Sequence, residues 1–251
     1  MCKYSAVQQK DCDKNSLPWE FAKFAQAVKP KLVLLENVTG ILRPFKDELG
    51  NSYYAWFELA KAFAEIGYIP LCLHVNAKYA GVPQNRPRFI LLGVREHFYD
   101  QINATFNEAE RTLFAQPVEF FLKSKVGEEL PLSSLMYRDI SKQNDLKLFE
   151  ESFLAPLVKY KSKFISVKEA IDDLRFEPNP KSLFSKNLTK AFKDVLLPRS
   201  MANHVLRTNN KLVQRRFRIY QVLKQLDNAT QKRIQNILKG QDTELSDSDW
   251  E

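Results

Sequence analysis

Lys29-Pro30-Lys31-Leu32-Val33-Leu34-Leu35-Glu36-Asn37-Val38 decides how this chain is read. Its apolar run is unbroken, short and entered through a proline, which favours a strand buried on both faces over a helix. Upstream, Trp19, Phe21, Phe24, Ala25 and Val28 recur mostly at three and four residues. Ser16 and Pro18 stand before them as N-cap and early-turn residues. The pattern predicts an amphipathic helix over 17–28 feeding the strand, and a sheet of the parallel βα type. Downstream, 52–66 repeats the helical pattern, Gly67 stops it, 68–75 reads as a second strand, 76–87 as a loop and 88–95 as a third strand. Residues 15–95 therefore read as α/β, part of a doubly wound sheet that three strands do not complete.

The whole chain has 251 residues, 44% hydrophobic and 27% charged, enough to bury a core and unlike a disordered or collagen-like chain. Glycine is scarce: only seven, with no Gly-x-Gly pair, so no glycine-rich cofactor loop is visible. The net charge of +8 favours a polyanionic partner. Cys2, Cys12 and Cys72 form no C-x-x-C, and His74, His97 and His204 lie far apart, so neither a disulfide framework nor a metal site is expected. Nothing reads as a membrane span or cleavable signal, and a cytoplasmic protein is expected.

Beyond the strands, 97–164 is a mixed connecting region with helical pieces at 107–114 and 146–153. Ten Lys or Arg stand against the single Asp227 between 198 and 239, on two apparent helices; Val213, Phe217, Tyr220, Leu223 and Leu226 make the apolar stripe of the first. The division expected is 1–96 as a partial catalytic domain, 97–164 as connection, 165–239 as a mostly helical basic region facing DNA, and 240–251 as an acidic tail.

Two segments carry chemistry. Glu36-Asn37-Val38 leaves the buried strand where open α/β sheets place ligands, although such residues also serve simply as caps. In Gly81-Val82-Pro83-Gln84-Asn85-Arg86-Pro87-Arg88, alternation sends Gln84, Arg86 and Arg88 to one side, able to converge on a phosphate or a base edge; pairing with surface carboxylates is the plainer reading.

In this order the two segments resemble the DNA cytosine-5 methyltransferase family of restriction-modification systems, over about residues 4–95. Residues 29–42 look like its Glu-Asn-Val block and residues 73–89 like its Gln-x-Arg-x-Arg block. Residues 165–174 and 203–217 are more distantly similar to segments some members carry. The resemblance implies a Rossmann-like methyltransferase fold, transfer of methyl from S-adenosylmethionine to C5 of cytosine in DNA, and a target base turned out of the duplex. It makes Glu36 the acid at cytosine N3 and assigns Asn37, Val38, Gln84, Arg86 and Arg88 to substrate binding. The reaction needs a thiolate that adds at C6 and later leaves.

In the family that thiol stands in a Pro-Cys-Gln block, whereas this chain opens Met1-Cys2-Lys3-Tyr4-Ser5. Either Cys2 serves on a loop one residue shorter, or the nucleophile is missing. Cys72 reads as core, and Cys12 lies between two acids, a poor setting for a thiolate. With no cofactor loop or target-recognition region in view, the expectation is a fragment or one subunit of a split enzyme, with a second polypeptide as partner. An RNA (transfer-RNA) cytosine-5 methyltransferase, or a non-catalytic nucleic-acid-binding remnant, are the alternatives.

Overall fold

A computed structural model describes residues 13–46, 52–171, 183–192 and 208–238; Cys2, Cys12 and the acidic tail lie outside them. The chain divides into two units, 1–193 and 194–251. The first is mixed α/β. Helix α1, Asp13–Val28, leads into strand β1, Leu32–Val38. A two-stranded ribbon, β2 (Phe45–Lys46) and β3 (Ser52–Tyr53), precedes helix α2, Ala55–Glu65. Strands β4, Tyr68–Asn76, and β5, Pro87–Arg95, follow. Gly67 takes φ +91°, a left-handed conformation that glycine adopts without strain and that ends α2.

The three strands form where the apolar runs lie, but the sheet is not of the parallel βα type. Its order is β1-β5-β4-β6, with β6 the short Arg138–Asp139, and β5 runs antiparallel to both β1 and β4. The cause is the connection: 77–86 is too short for a crossover, so β4 and β5 can join only as an antiparallel hairpin. Among the described residues only the β4–β6 pairing is parallel. α1 also starts at Asp13, earlier than expected, which puts Pro18 inside the helix.

Among the described residues β1 pairs with β5 alone, and its buried Val33 and Leu35 alternate with exposed Leu32 and Leu34. Only one face of this edge strand is covered. Gly93 of β5 faces Val33 across the pair, so closely that a Cβ there would strike the Val33 side chain.

The core continues without a break past residue 96. Helix α3, Glu96–Ile102, is followed by α4, Glu108–Lys125, whose start is fixed by a capping box between Asn107 and Glu110. α4 runs on through Pro117 because Phe114, Phe120 and Phe121 are buried, and that packing outweighs the hydrogen bond the proline removes. Helix α5, Gln143–Glu150, buries Leu146 and Phe149 in the same core. Two short helices, α6 (Val167–Ile171) and α7 (Leu183–Ala191), complete the described part of this unit.

Strand β6 meets β4 through a His–Asp contact. His74 and Asp139 are register partners, and His74 Nδ1 lies 3.2 Å from Asp139 Oδ2. Asp139 Oδ1 accepts from the Ser141 amide (2.8 Å) and hydroxyl (2.7 Å). Burial alone would raise the Asp139 carboxyl, but these Ser141 bonds and the His74 ring outweigh it and hold the group below its ordinary 3.8. A depressed native value means the stabilisation is complete above the unfolded value and is lost as pH falls through the native one. Asp139→Asn should therefore flatten the acid limb of the stability–pH curve below about pH 4, measured by denaturant melts; an unchanged acid limb would contradict the contact.

In the second unit, α8, Lys211–Leu223, is capped by Asn210, whose side chain accepts from the Val213 amide at 2.9 Å. α9, Asn228–Leu238, follows Asp227, which accepts from the Ala229 and Thr230 amides. Of the expected apolar stripe only Leu223 is buried, while Phe217 and Tyr220 are 55% and 58% exposed.

Candidate active site

The register of β1 against β5 builds the site. Val38 lies opposite Arg88 and Glu36 opposite Ile90, so Glu36 and Arg88 are diagonal neighbours on one face of the sheet, within reach of two long side chains. They meet: Arg88 Nε forms an ion pair with Glu36 Oε1. The Arg88 side chain is only 17% exposed, and its Nη1 donates to the Pro87 carbonyl at 2.8 Å. Glu36 is 51% exposed, so the pair presents its carboxylate outward and keeps its guanidinium against the protein.

Beside the pair lies an open cavity of about 450 Å³. Glu36, Asn37, Arg86 and Arg88 supply its polar lining, and Leu17, Pro18, Phe21 and Leu34 are among its apolar walls. Side chains alternate along a strand, so Leu35 and Asn37 belong to one face of β1 and Leu34, Glu36 and Val38 to the other. The cavity therefore wraps the open edge of β1, with the first turns of α1 as a wall. Its size falls within the range of small-molecule sites, and it joins an apolar surface to a few convergent polar groups.

Asn37 turns its side chain back to accept from the Val38 amide at 2.8 Å. Val38 is exposed at the end of the strand. Arg86 and Arg88 both reach the cavity, but Gln84 is not among its lining residues. Alternation needs an extended chain, and β5 begins only at Pro87; before it the chain bends, and the Gln84 amide donates back to the Val82 carbonyl at 2.7 Å. Cys2 lies outside the described residues. Cys72 is fully buried and unpaired, and burial pushes its thiol far up, as its apolar sequence neighbours suggest.

Gly81 is filled by the Tyr160 ring and Gly93 by Val33, while Gly67 and Gly127 stand at helix ends, so none of these four opens a backbone cradle for a cofactor. Among the described residues no cluster of His, Cys, Asp and Glu is suited to a metal, and no helix is long and apolar enough to cross a membrane.

Sequence reasoning misses Asn76 and Tyr160, which hold the loop before Arg86. Asn76 is legible as an Asn followed by a tight turn, the setting of an Asx turn. Tyr160 comes from a distant segment and leaves no local signal.

The chain matches the family described as C-5 cytosine-specific DNA methylase over residues 4–243. It is 37% identical over 95 residues to the orphan methyltransferase M.SPBetaI of Bacillus phage SPbeta, covering 38% of this chain and 20% of that protein. It is 34% identical over 87 residues to the type II methyltransferase M.DdeI of Desulfomicrobium norvegicum, covering 35% and 20%. With the type II methyltransferase M1.HphI of Haemophilus parahaemolyticus it shares 29% over 121 residues, covering 47% and 30%. The matched part thus spans a fifth to under a third of these relatives' length. A match that takes in nearly the whole sequence, both candidate blocks included, settles the family: this chain belongs to the C-5 cytosine-specific DNA methylases.

Proposed function

We propose that this chain acts in the methylation of cytosine C5 in DNA and contributes the surface that holds the turned-out base. The observation that carries the reading is the Glu36–Arg88 pair at the mouth of a cavity shared with Asn37 and Arg86. Cytosine C5 becomes nucleophilic only after a thiolate adds at C6. The new C–S bond pushes ring electrons toward N3, and a carboxyl there gives or shares a proton. Glu36 takes that role, and Arg88 orients its carboxyl. Arg86, exposed at the rim, reaches toward the phosphates beside the extruded nucleotide. Once C5 carries the methyl group, the ring is restored when the C5 proton leaves to a base and sulfur is eliminated as thiolate, N3 giving back its proton. Cys2 is the thiol assigned to the addition, and S-adenosylmethionine is the methyl donor the family implies.

The test needs no turnover. The 251-residue chain should bind a duplex with one unpaired cytosine about tenfold more tightly than the same duplex with an unpaired thymine, since one good base-edge contact discriminates by roughly 1–3 kcal/mol. Equal affinities, read by fluorescence anisotropy, would contradict the reading.

In the second unit, Lys211, Arg215 and Arg218 recur at four and three residues, one face of α8. This stripe suits phosphate contacts that carry no sequence information. Changing all three to Gln should lower the slope of log affinity against log salt by roughly 2–3, at about 0.9 for each phosphate no longer neutralised. An unchanged slope would remove the stripe from the DNA interface.

A further inference from the structure

The hairpin loop that delivers Arg86 and Arg88 is tied at its base by one side chain. Asn76 closes β4 and is the register partner of Pro87. Its Oδ1 accepts from the Lys78 amide at 3.2 Å and from the Arg86 amide at 3.1 Å. Its Nδ2 donates to Asn85 Oδ1 at 2.8 Å. The Arg86 carbonyl accepts from the Ala77 amide at 3.3 Å, so Arg86 is held through both of its backbone groups by residues 76 and 77. The Arg86 amide precedes β5 and has no ladder partner there, so the Asn76 carboxamide satisfies a donor that regular structure does not. Farther along the loop, Gly81 lies under the Tyr160 ring, and the Tyr160 amide donates to the Tyr79 carbonyl at 2.8 Å.

We propose that Asn76 is a positioning residue: through the Arg86 backbone it sets the Arg86 guanidinium beside the Glu36–Arg88 pair. The inference rests on the reading of that pair as the cytosine-holding surface. The chemistry required at position 76 is an acceptor for two amides next to a group that pairs with Asn85. Aspartate meets it, since one oxygen accepts both amides and the other accepts from Asn85 once that amide turns over. Leucine has the size but no polar group.

The test compares Asn76→Leu, Asn76→Asp and Arg88→Ala in the 251-residue chain. The probes are the duplexes with an unpaired cytosine or thymine, together with amide hydrogen exchange across 77–86 and a thermal melt. Asn76→Leu should cut the cytosine-over-thymine ratio about five- to tenfold, the loss expected from one or two hydrogen bonds. It should speed exchange at Lys78 and Arg86, and leave the melt and the salt dependence of binding where they were. Asn76→Asp should keep the ratio and the protection. The inference alone falls if Arg88→Ala abolishes the ratio while Asn76→Leu retains it, or if Asn76→Asp fails as badly as Asn76→Leu. A melt lowered by Asn76→Leu as much as by a core truncation would make the role structural and overturn it as well. If Arg88→Ala keeps the full ratio, the cytosine reading falls and the inference goes with it.

Discussion

Arg88→Ala is expected to erase the preference for unpaired cytosine while leaving the affinity for fully paired duplex DNA nearly unchanged. Arg88 is the mostly buried half of the pair, and removing it leaves Glu36 without the partner that aims its carboxylate. Hydrogen bonds to charged groups contribute about 1.5–3 kcal/mol, so the expected loss is about ten- to a hundredfold in the cytosine complex. Glu36→Leu should do the same. Glu36→Gln should not, because its amide can still donate toward N3 and accept from the N4 amino group, although it has no acidic proton to give. That split between binding and chemistry distinguishes an acid at the base from a carboxylate that only neutralises an arginine. Affinity titrations on the three variants measure the binding side, and the N3 resonance below measures the chemical side. A cytosine preference that survives both Arg88→Ala and Glu36→Leu would place the base elsewhere.

Trp56→Ala should give the largest loss of stability. Trp56 is 4% exposed, and its ring centroid lies 5.5 Å from Tyr137, 5.6 Å from Phe57 and 6.4 Å from Phe89. It ties α2 to β5 next to Arg88, and to the residue that enters β6. Truncating a buried aromatic of this kind costs about 3–5 kcal/mol, a large share of the 5–15 kcal/mol that typical domains have in total. Urea unfolding should show the midpoint falling accordingly, with Trp56→Phe losing much less. A loss under about 1 kcal/mol would mean that the interior collapses around the gap, and that the aromatic cluster is not what holds α2 to the sheet.

The strands are legible because each is an apolar run bounded by Pro, Gly or a charged residue, and Glu36 and Arg88 are legible as the residues at two of those ends. The sheet's direction differs from the parallel one expected, although the clue is present. The loop between Asn76 and Pro87 is too short for the crossover a parallel pair needs. Gln84 parts from the two arginines because the chain turns back on itself there, the Gln84 amide donating to the Val82 carbonyl. α4 runs past the 107–114 piece read from sequence because burial of Phe120 and Phe121 carries it on through Pro117. The meetings of His74 with Asp139 and of Gly81 with Tyr160 join residues more than sixty positions apart, and no local pattern encodes them.

Whether Glu36 meets the base at N3 can be read from cytosine itself. With ¹⁵N at N3 of a single unpaired cytosine in the duplex, the resonance in complex with the wild-type chain should move away from its value in free DNA, as N3 takes up a proton held between it and Glu36. In complex with Glu36→Gln, at equal occupancy, the displacement should be clearly smaller. An N3 resonance that stays at its free position in the wild-type complex, or shifts equally with both proteins, would show that Glu36 does not act on the base.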